Sequence, residues 1–128
     1  MLVGRVEARI REHFPALREV TLHTIGQHAT FGVVVRDDAL VLILGSVEPR
    51  TPKRLEWPWL DSTAEFLAAG AWVVVGGKHE SAGEPGTLDG FLKRFRRTHV
   101  ANYVAAVLEE AGVVEVDEGP PVLVRLRK

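Results

Sequence analysis

Two apolar stripes of helical period, separated by only a few residues, limit most strongly what the last third of this chain can form. The first stripe covers residues 88–95 at spacings i, i+3, i+4 and i+7, and Thr87 before it is suited to cap a helix. The second stripe covers residues 100–111, and Gly112 follows as a natural helix end. Because so few residues separate the stripes, the pattern predicts two helices that meet at a sharp angle.

A pair of short strands is predicted directly after these helices. Residues 113–116 and 122–126 have strand composition, and residues 117–121 between them have turn composition. The order of helix, tight turn, helix, glycine and two-stranded hairpin resembles the winged helix–turn–helix superfamily, over residues 87–128 only. The resemblance implies that the second helix enters the DNA major groove by its N-terminal part.

A basic run lies just before the predicted turn. Its cations surround the end of the first helix, where the resemblance places the phosphate backbone. The resemblance also directs His99, Asn102 and Ala106 outward on the second helix, and an asparagine is suited to adenine N6 and N7. The predicted nucleic-acid-binding residues are Lys93, Arg94, Arg96, Arg97, His99 and Asn102.

Acidic residues in the same module favour an alternative. Glu109 and Glu110 end the second helix, and Glu115, Asp117 and Glu118 lie in the predicted wing, where phosphates would be repelled. In this second hypothesis the basic run is a solvated helix face. The module is then a docking surface for a protein partner or for a second copy of the chain.

The first 80 residues predict an α+β domain. Residues 3–14 form an amphipathic helix that Pro15 ends, and residues 20–25 form a strand. Thr30–Val35 and Ala39–Leu44 form a hairpin. The second of these strands is apolar at almost every position, which predicts a central strand covered on both faces of a mixed sheet.

The remaining part of this domain is predicted as a connection, a helix and a strand. Residues 48–58 contain three prolines and predict an irregular connection, with Trp57 and Trp59 partly exposed. Ser62 and Glu65 fit a capping box that begins a helix. Residues 71–75 predict a buried strand, with Trp72 in the core.

The predicted fold class is therefore α+β, with two modules. An α-β-β-β-α-β domain with a mixed sheet covers residues 1–80, and a winged-helix-like α-α-β-β module covers residues 85–128. The two modules are either separate domains or parts of one packed unit.

A glycine-rich loop at residues 76–86 is a third candidate site. Loops after the carboxyl end of a buried strand commonly bind ligands in α/β sheets, and glycine backbone beside a lysine can hold an anion. The candidate residues are Gly76, Gly77, Lys78 and His79. With Glu80 and Glu84, His79 could act in acid–base chemistry, although a connector whose polar residues face water is the favoured interpretation.

Composition restricts the function further. The chain has no cysteine, which excludes thiolate catalysis, and a formal net charge of −1, so nucleic-acid affinity has to come from local clustering. No apolar run is long enough to span a bilayer and the N-terminus is charged at once, which predicts a cytoplasmic protein.

Because no catalytic signature or regular metal spacing occurs, we expect a non-enzymatic protein without metal or cofactor. Its few Asn, Gln and Met residues are typical equally of a thermophile and of a high-GC genome.

Overall fold

The structure is a computed structural model that describes residues 4–25, 29–45, 50–76, 86–95, 100–119 and 121–127. It confirms the α+β class. The chain begins with helix α1, Arg5–His13, and continues into a four-stranded sheet of order β1-β2-β3-β4. The strands are β1 Val20–His23, β2 Thr30–Val35, β3 Ala39–Leu44 and β4 Thr51–Glu56.

This sheet is antiparallel at every strand pair, so the prediction of a mixed sheet is wrong. Its strands follow one another along the chain with short connections, and no helix crosses over between them, which parallel pairing would require. β3 is central, as predicted. Leu40 and Leu42 on one face are buried in the core, whereas Val41 and Ile43 on the other face are only half-buried, so the prediction of a strand covered on both faces is wrong.

From residue 57 onward, the described residues form three helices and a three-stranded antiparallel sheet of order β5-β7-β6. The helices are α2 Trp57–Phe66, α3 Leu88–Leu92 and α4 Ala101–Glu110. The strands are β5 Val73–Val74, β6 Val114–Asp117 and β7 Leu123–Leu126. The predicted two-stranded hairpin is therefore present, and β5, from before the glycine-rich loop, adds a third strand to it.

Residues 50–58 differ from the sequence prediction. Residues 51–56 form β4, so the prediction of an irregular connection there is wrong, and residues 48 and 49 of that connection lie outside the described residues. Because β4 is an edge strand, Pro52 is tolerated although it has no backbone N–H to donate. Helix α2 follows β4 at once, and Pro58 lies in its first turn, where a missing N–H does no harm.

The predicted capping box is consequently wrong. Ser62 and Glu65 lie inside α2 rather than at its beginning, and the Ser62 hydroxyl donates to the Pro58 carbonyl oxygen at 2.9 Å. A Ser-x-x-Glu pattern looks the same at the beginning of a helix and inside one. The two cases differ in which residues are buried, and in α2 these are Trp57, Leu60 and Thr63.

Helix α1 is capped by a side chain from α2. Asp61 Oδ1 accepts the backbone N–H groups of Val6 and Glu7 at 3.0 and 2.9 Å. Such a carboxylate satisfies N–H groups that have no partner within the helix and complements its positive end. Gly4 is required at the N-cap because a Cβ at this position would overlap the Asp61 carboxylate. The two helices are thus joined by polar contacts as well as by packing.

The buried side chains of both parts of the chain form one cluster. Val6 and Ile10 of α1 lie in this cluster with the inner face of the four-stranded sheet, where Leu42 is fully buried. Val104 and Leu108 of α4 belong to the same cluster, and α4 contacts both α1 and β1. No helix among the described residues is long and apolar enough to cross a membrane.

Candidate functional site

Helix α3 begins at its predicted cap. The Gly90 backbone N–H donates to Thr87 Oγ1 at 3.0 Å, which satisfies one of the free N–H groups of the first turn. Leu88 and Leu92 are buried, as the apolar stripe predicts. Phe91, from the same stripe, is only half-buried, so part of this face contacts solvent.

Four aromatic rings from α2 and from the α3 region pack together at the surface. Trp59 stacks on Phe95 with 5.8 Å between ring centroids, and Phe66 stacks on Phe91 with 4.5 Å, both at an interplanar angle of 16°. Phe91 and Phe95 meet edge to face at 5.5 Å. All four rings are half-buried. We call this surface the aromatic ladder (Trp59, Phe66, Phe91, Phe95).

Two of the predicted basic residues lie beside the aromatic ladder. Arg94 is exposed, and its guanidinium carbon lies 5.8 Å from the Phe91 ring centroid. Lys93 forms an ion pair with Asp89, with 3.1 Å between Nζ and Oδ2, and the Asp89 side chain is almost completely buried. Arg96, Arg97 and His99 lie outside the described residues, so their prediction as binding residues stays a prediction.

Helix α4 is enclosed by the rest of the molecule. Six of its ten residues are buried, and it contacts α1, α3, β1 and β6. The outward placement of Ala106 is wrong, because this side chain is only 6% exposed. The small alanine side chains of α4 leave room for neighbouring elements on its sides as well as on its apolar stripe. Asn102 is half-buried.

The surface of α4 at its far end is acidic. Glu109 and Glu110 are exposed in the last turn of the helix. Burial raises the pKa of the Glu109 carboxyl, and the nearby charges of Glu118 and Glu110 raise it further. Negative groups at a helix C-terminus also oppose the helix dipole. This end of α4 therefore repels anions.

We expect the substitution Glu109→Gln to stabilise the protein at neutral pH. A carboxyl group whose pKa is raised on folding destabilises the folded state above that pKa, and the penalty disappears below its unfolded value of 4.5. At about pH 7 the free energy of unfolding of the Glu109→Gln variant should be higher than that of the wild type by less than about 1 kcal/mol, because the carboxyl group is largely solvated. Urea unfolding at pH 7 and pH 4 measures the change. Equal gains at both pH values would contradict the assignment, and Glu65→Gln on the exposed side of α2 is the matched control.

Two tryptophans lie in environments opposite to those predicted. Trp72 is 41% exposed, so its assignment to the core is wrong. Its strand is short, and Trp72 precedes it on the outer side of the sheet, where the Arg125 guanidinium carbon lies 4.4 Å from the ring centroid. Trp57 was expected to be partly exposed but is only 4% exposed, and its indole N–H donates to the Arg36 carbonyl oxygen at 3.1 Å.

In the three-stranded sheet, an arginine lies beside an acidic residue. Arg125 Nε donates to Glu115 Oε2 at 2.7 Å across the β6–β7 pair. Arg127 is exposed at the end of β7, and its carbonyl oxygen accepts a long hydrogen bond of 3.4 Å from Arg5. The sequence offered no spacing that brings Arg5 and Arg127 together, because they are at opposite ends of the chain.

Two arginines at the four-stranded sheet form ion pairs. Arg54 lies 2.7 Å from the Asp38 carboxylate, and this contact lowers the pKa of the Asp38 carboxyl. Arg50 forms an ion pair with Glu19 above Gly32, where a Cβ would leave no space for the carboxylate.

Of the four candidate residues in the predicted ligand loop, Gly76 is the one that the structure describes. Gly76 is buried with φ +81°, and a Cβ there would lie 3.0 to 3.2 Å from the side chains of Thr87 and Asp89. The glycine is thus required by close packing against the start of α3. Gly77, Lys78 and His79 lie outside the described residues, and ligand binding by this loop stays a prediction. No group of three or more His, Asp or Glu side chains that could hold a metal ion occurs in the described ranges.

The aromatic ladder is the feature that the sequence reasoning missed. Its signal is present in the sequence, since Phe91 and Phe95 are spaced i, i+4, and Trp59 and Phe66 are spaced i, i+7 within α2. The predicted apolar stripe directs Phe91 and Phe95 into the core, and the predicted beginning of α2 at Ser62 leaves Trp59 outside the helix. Comparisons of this chain with protein-family models, with curated proteins and with solved structures found no match.

Proposed function

We propose that this protein binds single-stranded nucleic acid, without catalysis, through the aromatic ladder and the basic residues at the end of α3. The observation that carries the proposal is the position of Arg94, an exposed cation over Phe91 in a cluster of four half-buried rings. Bases stack on aromatic rings with little dependence on sequence, while cations beside the rings contact the phosphates. Arg94 is such a cation, and Arg96 and Arg97 follow it in the sequence. Lys93 adds a charge that the ion pair with Asp89 partly balances.

The aromatic ladder suits unpaired bases rather than a duplex. In a duplex the base faces are stacked on one another and cannot reach a protein ring, whereas in a single strand each face is available. Each base–aromatic contact contributes roughly 1 to 3 kcal/mol. The net charge of −1 is compatible with this mode, because stacking supplies part of the affinity that a duplex-binding protein obtains from phosphate contacts alone.

The enclosure of α4 argues against the major-groove mode. A recognition helix needs one long exposed side, and α4 has six of its ten residues buried and an acidic end. Contacts from α4 are therefore confined to its beginning, where Asn102 is half-buried and where His99 precedes the helix in the sequence.

We further propose that residues 57–127 form a variant of the winged helix in which nucleic acid binds at the α3 region and the neighbouring α2 rather than at α4. The module contains α2 as the earlier helix, then α3, α4 and a wing that β5 extends to three strands. The variant would act in the cytoplasm. A protein of this kind needs no cofactor or metal for its activity.

The substitution Arg94→Glu tests the proposal. We expect it to weaken binding of a fluorescein-labelled single-stranded oligonucleotide by about tenfold or more at low salt, because a phosphate contact becomes a repulsion. Replacing Arg94 by alanine should instead lower the slope of log K against log salt by about 0.7, the value for one phosphate contact on a single strand. Both are measured by fluorescence anisotropy at several salt concentrations.

Arg18→Glu is the matched control. Arg18 is an exposed arginine in the connection between α1 and β1, so the change in net charge is the same while the surface differs. Its effect on binding should be small. Absence of binding at low salt to single-stranded probes would refute the proposal, as would tighter binding to a duplex than to a single strand or equal losses in the two variants.

Protein docking is the second candidate function. Trp and Arg are the residue types enriched at the energetic centres of protein interfaces, and Trp59 and Arg94 occur together on this surface. The partner would be a second copy of the chain or another protein. This function predicts a complex whose stability changes little with salt. Analytical ultracentrifugation over a range of concentrations tests self-association, and Trp59→Ala should abolish it.

A further inference from the structure

A second surface, distant in the sequence from the aromatic ladder, collects three arginines around an open groove. The groove has a volume of about 670 Å³. Arg5 from the beginning of α1 and Arg125 and Arg127 from β7 line it, and residues 68–70 after α2 provide small side chains at its wall. We call this the arginine groove. It shares no residue with the aromatic ladder.

The groove has an excess of positive charge. Glu115 is the acidic residue that lines it, and Arg125 neutralises this carboxylate through a contact of 2.7 Å. Arg5 and Arg127 form no ion pair within the part of the chain that the structure describes, and both are exposed. Two guanidinium groups are thus left to attract an anion.

Arg125 is held in place from two sides. Glu115 accepts its Nε–H, and the Trp72 ring lies under its guanidinium plane at 4.4 Å. A guanidinium that is already fixed loses little conformational entropy when it forms a further hydrogen bond. Its remaining N–H groups are the donors that a phosphate oxygen accepts best. Trp72 itself is 41% exposed, so this contact lies at the surface beside the groove.

We propose that the arginine groove binds the phosphate group of a small phosphorylated ligand, of the size of a nucleoside monophosphate. Arg5 and Arg127 donate to the phosphate oxygens, while Arg125 lies beneath them. The volume of about 670 Å³ accommodates such a molecule but is far from a closed pocket, so the affinity depends mainly on the charged contacts. The proposal does not rest on nucleic-acid binding by the aromatic ladder.

Isothermal titration calorimetry with inorganic pyrophosphate and with adenosine monophosphate tests the proposal at constant ionic strength. We expect saturable binding with a Kd of about 1 mM or below. Arg5→Ala and Arg127→Ala should each weaken it by about tenfold, because each removes a charge-assisted hydrogen bond. Both side chains are exposed, so the variants should remain folded, which thermal unfolding checks.

Arg18→Ala is the matched control, and it should bind as tightly as the wild type. Absence of saturable binding up to about 10 mM ligand would overturn the proposal, as would binding that neither arginine substitution weakens. A single-stranded oligonucleotide without a terminal phosphate separates the two sources of phosphate. If it binds through Arg5 and Arg127 while both small ligands do not, the assignment to a small ligand is wrong. If Arg94→Glu loses oligonucleotide binding and still binds the two small ligands, the oligonucleotide binds at the aromatic ladder, and the assignment of the arginine groove to a small ligand is supported.

Discussion

Replacing Asp89 by alanine is expected to lower the free energy of unfolding by about 3 kcal/mol, because the change removes a buried carboxylate from an ion pair. Asp89 is fully buried, and its Oδ2 lies 3.1 Å from Lys93 Nζ. After the substitution, the half-buried Lys93 ammonium loses that carboxylate. The Asp89 backbone N–H also donates to the carbonyl oxygen of Val75, the residue after β5, at 2.9 Å, so this residue joins α3 to the segment that follows β5.

A double-mutant cycle with Asp89→Asn and Lys93→Met isolates the ion pair. Each single variant keeps the approximate shape of its side chain and removes its charge. We expect a coupling energy of about 1 to 3 kcal/mol from urea unfolding. If Asp89→Ala lowers the free energy of unfolding by less than about 1 kcal/mol, the ion pair does not fix the position of α3.

Replacing Leu108 by alanine is expected to lower the stability of the whole chain by about 3 kcal/mol, as large-to-small changes in a closed core do. Leu108 is fully buried in the cluster that both parts of the chain share, and its helix contacts α1 and β1. The four-stranded sheet should therefore lose stability together with the three-stranded sheet. Leu17, 69% exposed, provides the control, because Leu17→Ala removes the same atoms from the surface and should change stability by less than about 0.5 kcal/mol.

Hydrogen exchange measures whether the chain unfolds as one unit. Amides of β3 and of α4 should show the same free energy of opening, and Leu108→Ala should lower both equally. If β3 kept its protection while α4 lost it, the two parts of the chain would be separate domains. That result would support the division at residues 80 to 85.

The helices of the C-terminal module could be predicted from the sequence because several local signals agree. Thr87 specifies the beginning of α3 and Gly112 the end of α4, and the structure has both; the first stripe continues to residue 95, however, whereas α3 ends at Leu92. The surroundings of α4 could not be predicted in this way. Local spacing reports which side of a helix is apolar, but Ala106 is buried by elements that are far away in the sequence.

The region around α2 was predicted poorly for a physical reason. Proline and a Ser-x-x-Glu pattern are ambiguous, since Pro52 is compatible with an edge strand and Pro58 with the first turn of a helix. The local pattern contains no information about which strand lies at an edge. The wrong environment of Trp57 followed from this error, because it was inferred from the irregular connection assigned to that residue. The wrong environment of Trp72 has a separate cause, since the predicted strand 71–75 is reduced to Val73–Val74.

The candidate surfaces combine residues from distant parts of the chain. Two of the basic residues near the aromatic ladder were predicted, but the rings of α2 beside them were not, because the contact between α2 and α3 is tertiary. The arginine groove joins Arg5 to Arg127 and had no signal in the sequence. Such surfaces can be found only when the packing is known.

The indole N–H signals of the three tryptophans test the central claim most directly. Trp59 belongs to the aromatic ladder, Trp57 is buried, and Trp72 lies under Arg125 beside the arginine groove. In a ¹H–¹⁵N spectrum titrated with a single-stranded oligonucleotide, assigned with Trp59→Phe and Trp72→Phe, the Trp59 signal should shift or broaden while the Trp57 signal stays in place. A Trp59 signal that does not change when the oligonucleotide is saturating would contradict the assignment of the aromatic ladder as the nucleic-acid-binding surface.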